Sequence, residues 1–238
     1  MNPASSSNPV YVALDTTDPV LARQLAVQLR GCVGGLKLGL EFFSAHGPDG
    51  VKPFVEMGLP VFLDLKYHDI PNTVAGACRA AAGLGVSILN VHAQGGAAMM
   101  RAAADAAKSV SPSTRVIAVT MLTSLGDEDL PSLGLTPPVA DQVLRLASLT
   151  QQCGLDGVVC SAHEIVRLRK ELGPDFLLVV PGIRPAGSAL GDQRRVMGPA
   201  QARDAGASVL VIGRPITGAP DPAQAARDIA QSLGISGS

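Results

Sequence analysis

The chain of 238 residues is 47% hydrophobic and 16% charged, which is enough apolar material for a large core and too little charge for a disordered polymer. Its 19 basic and 20 acidic residues give a net charge of −1, so no overall field would recruit nucleic acid or an anionic membrane. With 3% aromatic residues and no tryptophan, platforms that stack nucleic-acid bases are not expected.

The N-terminal segment and the cysteines favour a protein of the cell interior. Residues 1–10 (MNPASSSNPV) have neither the basic region nor the apolar stretch of a secretory signal, and no apolar run approaches the ~20 residues that cross a bilayer. The four cysteines lack C-x-x-C spacing and suit buried thiols in a reducing compartment. We predict a cytoplasmic protein without a membrane span and with a disordered lead-in over residues 1–9.

Short runs rich in valine, isoleucine and leucine recur along the chain and predict eight strands. In chain order these runs are 10–15 (VYVALD), 34–39 (GGLKLG), 61–66 (VFLDLK), 86–93 (VSILNVHA), 115–120 (RVIAVT), 157–162 (GVVCSA), 176–182 (FLLVVPG) and 207–213 (ASVLVIG). Alanine-rich segments with helical spacing lie between them, for example 19–30, 73–85, 97–109, 138–154 and 199–207.

Near-continuous apolar strands that alternate with helices indicate a parallel sheet covered by helices. Eight such units in about 240 residues match the size of a (β/α)8 TIM barrel. No linker divides the chain, so we predict a single α/β catalytic domain over residues 10–235. A doubly wound open sheet is the alternative. In a barrel, the functional residues lie at the carboxyl ends of the strands.

Charged residues collect at the ends of the first three predicted strands. Asp15 ends the first, Lys37 lies near the end of the second, and Asp64, Lys66 and Asp69 belong to the third. Because strand side chains alternate, Asp64 and Lys66 share a face and would point together into the barrel mouth. An isolated buried charge is costly, so these groups are expected to compensate one another. A lone pair would suggest an ordinary salt bridge, but the convergence of three strands favours a functional site.

A second polar cluster lies at the ends of the last two strands. The run 181–184 (PGIR) ends the seventh, Gln193 lies in the following loop, and Gly213 and Arg214 end the eighth. Glycine at 213 would let backbone N–H groups approach an anion, and Arg184 and Arg214 could supply charged hydrogen bonds. Either motif alone could be a tight turn with a solvated arginine. Together, in the loops where barrels bind phosphate, they predict a phosphorylated substrate.

The motifs of several other chemistries are absent from the sequence. It has no G-x-G-x-x-G after a strand, no G-x-x-x-x-G-K-[ST] and no G-x-S-x-G, which argues against dinucleotide, P-loop and hydrolase sites. His68 with Asp64, or His92 at the end of the fourth strand, could in principle ligate a metal, but loop or core histidines are the simpler interpretation. We predict neither a metal nor a cofactor.

Residues 64–73 (DLKYHDIPNT) have the pattern D-x-K-x-x-D-I-x-x-T, which is the signature of the bacterial orotidine 5′-phosphate (OMP) decarboxylase family. The sequence resembles this family over nearly its whole length, in the same order and spacing. The further matching segments are 12–15 (VALD), 35–39 (GLKLG), 119–124 (VTMLTS), 181–185 (PGIRP) and 211–217 (VIGRPIT).

This resemblance implies a cofactor-independent carboxy-lyase that converts OMP to UMP and CO2 in the last step of pyrimidine biosynthesis. It implies that Lys66 is the proton donor to C6 of the pyrimidine and that Asp64 lies beside the departing carboxylate. Lys37 and Asp15 resemble groups that hold the ribose hydroxyls and the charge network. With Asp69, the implied catalytic set is Lys66, Asp64, Asp69 and Lys37.

The resemblance also implies the rest of the binding site. Thr123 matches a residue that contacts the pyrimidine ring, while Arg184, Gln193, Gly213 and Arg214 match the phosphate-binding set, with Gln193 on a loop that closes over substrate.

Asp69, Ile70 and Thr73 match positions that in the family reach into the partner subunit's active site. The expected functional unit is therefore a homodimer with composite active sites.

Two other kinds of protein remain as alternatives. Metal-dependent barrels of the same superfamily, such as keto-sugar-phosphate decarboxylases, hexulose-phosphate synthases and pentose-phosphate epimerases, sometimes share D-x-K-x-x-D. A non-catalytic nucleotide-binding or sensor protein would keep the phosphate site without needing Lys66. The D-I-x-x-T extension and the V-x-x-L-T-S segment favour OMP decarboxylase.

Overall fold

The protein folds into a closed barrel of eight parallel strands. A computed structural model describes residues 8–185 and 197–235. The strands follow one another around the barrel in chain order, and β1 pairs with β8 to close it. They are β1 (Val10–Ala13), β2 (Gly35–Gly39), β3 (Val61–Tyr67), β4 (Ile88–His92), β5 (Arg115–Val119), β6 (Gly157–Val159), β7 (Leu177–Val180) and β8 (Val209–Ile212). The predicted barrel is confirmed, and the open-sheet alternative is wrong.

Helices connect the strands around the outside of the barrel. They are α1 (Pro19–Leu29), α2 (Leu40–Glu56), α3 (Pro71–Ala82), α4 (Gly96–Val110), α5 (Val139–Gln152), α6 (Ile165–Leu172), α7 (Pro199–Asp204), α8 (Arg214–Thr217) and α9 (Pro222–Ser232). The Asp18 carboxylate caps α1 by accepting from the N–H groups of Val20 and Leu21 at 2.8 and 3.1 Å. A kink in α2 lies at Gly47, whose φ of 58° suits glycine.

The core has two layers, which the alternation of strand side chains separates. On β3, Leu63 and Leu65 point outward into the layer between barrel and helices. Phe62 points inward, where it meets Tyr11 and Ile117 from other strands. These apolar side chains fill the lower part of the barrel. Burying each large one stabilises the fold by about 1.5–3 kcal/mol. Polar inward positions occur higher on the same strands, toward their carboxyl ends.

The structure bears on the predictions made for the N-terminal residues, for membrane spans and for the cysteines. Residues 1–7, which form most of the predicted lead-in, lie outside the described residues, while Asn8 donates to the Cys32 carbonyl at 2.8 Å and Leu210 N–H donates to the Pro9 carbonyl at 2.9 Å. Within 8–185 and 197–235, no helix has the length and apolar character of a membrane span. All four cysteines are free thiols; three are buried and Cys32 is half-buried.

Candidate active site

A cavity of about 290 Å³ opens at the carboxyl ends of the strands. Eight of the predicted site residues line it, and they come from both polar clusters. The lining residues are Ala13, Asp15, Lys37, Phe62, Asp64, Lys66, Val119, Met121, Leu122, Thr123, Val159, Val179, Pro181, Gly182, Ile183, Arg184, Val211, Gly213 and Arg214. Gln193 lies outside the described residues, so its predicted position on a closing loop stays a prediction.

The first wall of the cavity carries a continuous row of alternating charges. Lys37 Nζ lies 2.9 Å from Asp15 Oδ1 and 3.7 Å from Asp64 Oδ2, and Lys66 Nζ lies 2.6 Å from Asp64 Oδ1. The side chains of Lys37 and Asp64 are 11% and 14% exposed, whereas that of Asp15 is 60% exposed. Each buried charge of this row therefore has an opposite charge beside it, as predicted for Asp15, Lys37, Asp64 and Lys66. Asp69, the fifth group of that prediction, is exposed and is not part of the row.

Lys66, which belongs to this row, has an unusual backbone conformation. Its φ is 52°, the one positive φ among the described non-glycine residues, and such a conformation costs about 1–3 kcal/mol. The pairing of β3 with β4 shifts register here: Leu63 lies opposite Leu89, and the next pair is Tyr67 with Val91. Asp64 and Lys66 thus both face the cavity, but a bulge, and not a regular strand, brings them together.

Asn90 is a polar residue of this site that sequence reasoning missed. It is fully buried in β4 and contacts both Asp64 and Lys66. The available signal was a single asparagine within the otherwise apolar run ILNV of β4. Buried polar side chains in such strands need partners, so Asn90 could have been marked as part of a network.

The charge row keeps the Asp64 carboxyl ionised. Burial alone would raise the pKa of Asp64, but the nearby Lys37 and Lys66 ammonium groups, with hydrogen bonds from Lys66 and Asn90, hold that pKa below its ordinary value. A carboxylate that stays charged in a confined cavity can repel a substrate carboxylate placed against it.

Glycine at position 39 leaves room for the Lys37 ammonium group. A Cβ atom at Gly39 would lie 2.9 Å from Lys37 Nζ and 3.7 Å from Asp15 Oδ1. Residues 37 and 39 share the inner face of β2, so a larger residue at 39 would push the ammonium group away from Asp15. The sequence pattern Lys-x-Gly at the end of a strand was the signal for this close approach.

The opposite wall carries two arginines. Arg184 follows β7 and Arg214 begins α8 directly after β8. The Nε atom of Arg184 is buried and has no hydrogen-bond partner within 8–185 and 197–235. Burial lowers the pKa of Arg184, and the charge of neighbouring Arg214 lowers it further. Two guanidinium groups that face one cavity create a position suited to an anion of high charge.

The two walls meet where β8 lies beside β1. A Cβ atom at Gly213 would be 3.5 Å from the Ala13 Cβ and 3.8 Å from Asp15 Oδ2. Asp15 is therefore the end of the charge row that lies nearest to the arginine wall. Among the described lining residues, four are basic and two are acidic, so the cavity has an excess of positive charge.

Three predicted site residues do not line this cavity. Asp69, Ile70 and Thr73 are exposed beyond the end of β3 and at the start of α3, and Ile70 is 67% exposed. The Asp69 carboxylate accepts from the N–H of Ile70 at 2.6 Å. They lie on the rim of the barrel, available to contact another molecule.

The histidines of the rim are not arranged around a metal site. His68 and His92 have ring centroids 5.5 Å apart, and no group of three or more potential metal-binding side chains occurs in the described part of the chain. Burial lowers the pKa of His92, the charges of His68 and Lys66 lower it further, and Asp64 opposes them. A neutral His92 close to Lys66 is therefore favoured at neutral pH.

A family model and relatives of this chain point to one family. The model of the orotidine 5′-phosphate decarboxylase / HUMPS family matches residues 8–229. A Rhodospirillum rubrum protein named orotidine 5′-phosphate decarboxylase is 58% identical over 235 residues, covering 96% of this chain and 95% of that protein. A protein of the same name from Salmonella typhi is 54% identical over 233 residues, covering 97% of this chain and 94% of that protein.

Solved structures agree at the level of the backbone. The crystal structure of orotidine 5′-phosphate decarboxylase from Lactobacillus acidophilus has a TM-score of 0.85 at 38% identity, covering 95% of this chain and 99% of that one. An uncharacterized conserved protein from Geobacillus kaustophilus has a TM-score of 0.82 at 36% identity, covering 94% and 100%. By its sequence, its fold and the extent of these matches, the chain belongs to the orotidine 5′-phosphate decarboxylase / HUMPS family.

Proposed function

We propose that this protein is a carboxy-lyase that converts OMP to UMP and CO2, the last step of de novo UMP synthesis, without a cofactor and with Lys66 as the proton donor. Family membership and relatives more than half identical over nearly the whole chain support the overall reaction. The observation that carries the residue assignment is the Lys37–Asp64–Lys66 row, which faces an arginine pair across one cavity.

In the proposed reaction, the bond between C6 and the carboxylate breaks heterolytically. CO2 leaves, the electron pair stays on C6, and Lys66 Nζ gives its proton to C6. The resulting neutral amine then regains a proton from solvent. The ammonium group stabilises the developing negative charge at C6 before it transfers the proton.

Asp64 acts on the carboxylate that departs. Because Lys37 and Lys66 hold the pKa of Asp64 low, it remains charged when the substrate binds. Repulsion between two carboxylates weakens as the substrate carboxylate becomes neutral CO2, so the interaction favours the forward step. Lys37 balances the charge of Asp64 and, with Asp15, binds the ribose hydroxyls.

The arginine wall binds the substrate phosphate. A phosphate dianion and a carboxylate make OMP strongly anionic, which fits a cavity whose basic side chains outnumber its acidic ones. Arg184 and Arg214 bind the phosphate with backbone N–H groups near Gly213 and with Gln193, while Thr123 contacts the pyrimidine ring. Binding energy at the phosphate, remote from C6, helps to organise the reacting end.

Each active site is composite in this proposal. Asp69, Ile70 and Thr73 enter the partner subunit's site in a homodimer, which accounts for an exposed isoleucine and aspartate on the rim. Mixing Lys66→Ala and Asp69→Ala protomers tests this. Each variant alone is expected to be inactive, whereas random mixing should restore about one quarter of the sites, because one site of each heterodimer is intact. Mixtures that stay inactive after subunit exchange would contradict the composite site.

One assay distinguishes this function from its alternatives. Purified protein with OMP and no added metal should show the loss of OMP absorbance, and EDTA should not change the rate. A metal-dependent superfamily enzyme would need the ion, and a sensor protein would bind the nucleotide without turnover. The cytoplasmic location and the domain limits of 10–235 remain part of this proposal; a chain shortened to these limits should retain full turnover.

A further inference from the structure

We propose that Asn90 is a positioning residue for the decarboxylation, whose side-chain amide holds the Lys66 backbone and the Asp64 carboxylate in the relative placement that the reaction uses. This inference rests on the proposed function and adds a residue to it. Asn90 lies on the inner face of β4 and is 0% exposed. It lies behind Asp64 and Lys66 and does not line the cavity.

Two hydrogen bonds fix the orientation of the amide. The Lys66 N–H donates to Asn90 Oδ1 at 2.8 Å, and Asn90 Nδ2 donates to Asp64 Oδ1 at 2.7 Å. A backbone N–H can only donate and a carboxylate can only accept, so the amide has one orientation that satisfies both. One side chain thus joins the two residues proposed to carry the chemistry.

The first hydrogen bond replaces a missing part of the sheet. Between Leu63 and Tyr67 the regular pairing of β3 with β4 is interrupted. The N–H of Lys66 consequently turns to the Asn90 side chain while its φ is 52°. A non-glycine residue keeps this conformation only where its surroundings impose it, and Asn90 supplies that constraint from the neighbouring strand.

The second hydrogen bond orients Asp64. Its Oδ1 atom accepts hydrogen bonds from Asn90 Nδ2 at 2.7 Å and from Lys66 Nζ at 2.6 Å. The Lys66 side chain has several rotatable bonds, whereas Asn90 is anchored in a strand and fully buried. Asn90 is therefore the more rigid of the two partners. Aspartate would lack the donor, serine is shorter, and glutamine adds a methylene in a closed space.

The central experiment compares Asn90→Ala with Thr114→Val. Thr114 is 1% exposed and lies just before β5, at the other end of the barrel. Its hydroxyl contacts the Val86 carbonyl at 2.8 Å and Ser111 Oγ at 2.9 Å. Both variants remove a buried polar group that makes two hydrogen-bond contacts, but Thr114→Val does so far from the cavity. Steady-state OMP turnover, UMP affinity and Tm are measured for both variants and for the wild type.

We expect Asn90→Ala to lower kcat by about 10–100-fold, because a small misplacement of reacting groups has effects of this size. Its Kd for UMP should change by less than about threefold, since the arginine wall proposed to bind the phosphate is intact. Loss of the hydrogen bond to the charged form of Asp64 should also move the acid limb of the kcat profile to higher pH. The groups that face Asp64, namely Lys37, Lys66 and His92, are the same in both proteins. Thr114→Val should keep kcat within about twofold while its Tm falls.

A second variant, Asn90→Asp, tests the hydrogen bond that Asn90 Nδ2 donates to Asp64, with almost no change of side-chain volume. It keeps an oxygen for the Lys66 N–H but places a carboxyl against Asp64, so its kcat relative to wild type should fall as pH rises and that carboxyl ionises. The inference is overturned if Asn90→Ala, or Asn90→Asp at a pH at which its new carboxyl is ionised, retains kcat within about twofold of wild type. It is also overturned if Thr114→Val loses as much kcat as Asn90→Ala. A wild-type protein that fails to decarboxylate OMP would instead overturn the proposed function.

Discussion

Replacing Lys66 with alanine should abolish decarboxylation while the barrel remains folded. Lys66 is proposed both as the cation beside the developing C6 anion and as the proton donor. Removing a general acid costs about 10²–10⁴-fold, and removing a preorganised donor for developing charge costs about 10²–10³-fold. Since both are lost in one substitution, kcat should fall by roughly 10⁴-fold or more.

The fold should survive this change because of where the side chain lies. The Lys66 side chain is 27% exposed and faces the open cavity, so its removal creates no closed void. Asp64 retains Asn90 at 2.7 Å and Lys37 at 3.7 Å as partners. The remaining cost is the left-handed backbone at position 66, which alanine still has to adopt.

Comparing the stability of Lys66→Ala with that of Lys66→Gly measures the cost of the left-handed backbone at position 66. Glycine avoids about 1–2 kcal/mol of strain at a left-handed position but loses up to about 1 kcal/mol through the entropy of the unfolded chain. Lys66→Gly should therefore be at least as stable to urea as Lys66→Ala and equally inactive. Near-wild-type loss of OMP absorbance in either variant would refute the role of Lys66. A glycine variant clearly less stable than the alanine variant would refute the strain argument.

Four further predictions concern the rest of the site. Arg184→Ala and Arg214→Ala should each lower kcat/KM for OMP by about 10–100-fold, as expected for a charge-assisted hydrogen bond, without affecting reaction of the nucleoside that lacks phosphate. Gly39→Ala should lower kcat/KM by about 10-fold with little change in Tm, because its Cβ displaces Lys37 Nζ; unchanged kinetics would contradict the close approach. The pKa of Asp64 is held below its ordinary value, so its ion pairs stabilise the fold above about pH 4 and are lost as pH falls through the folded-state pKa. The unfolding free energies of wild type and Asp64→Asn in urea should therefore converge in acid, and a gap that widens would contradict this sign. Dialysis against EDTA should leave turnover unchanged, and restoration by a divalent ion after loss would contradict a metal-free reaction.

The barrel and most of its cavity could be predicted because both leave strong local signals. Apolar runs such as 61–63 and 115–119 alternate with helical segments, and this alternation is a property of neighbouring residues. Lysine and aspartate at the ends of such runs are improbable in a buried strand without a function. The predicted strand limits differ from the observed ones by at most three residues, and most of the differences lie at the carboxyl ends, where the loops of the cavity begin.

The local geometry at Lys66 could not be predicted in this way. Its left-handed backbone depends on the register of β3 against β4, and its partner Asn90 lies 24 residues away along the chain. Period-two alternation places Asp64 and Lys66 on one face correctly, but it does not foresee that a bulge interrupts the strand between them. The resemblance to a family suggested which side chains react, whereas the contact of Asn90 behind them is a property of the folded structure.

That contact bears on how the charge row responds to substrate. Lys66 Nζ lies 2.6 Å from Asp64 Oδ1, so a lysine that turns toward C6 must weaken this ion pair. Asp64 would then rely on Asn90 and on Lys37, which is more distant at 3.7 Å, to stay ionised in a confined space. In the proposed reaction, binding of the substrate phosphate by the arginine wall compensates for the weakened ion pair. This proposal links the two walls of the cavity energetically and predicts that loss of phosphate contacts reduces the rate at C6 as well as the affinity.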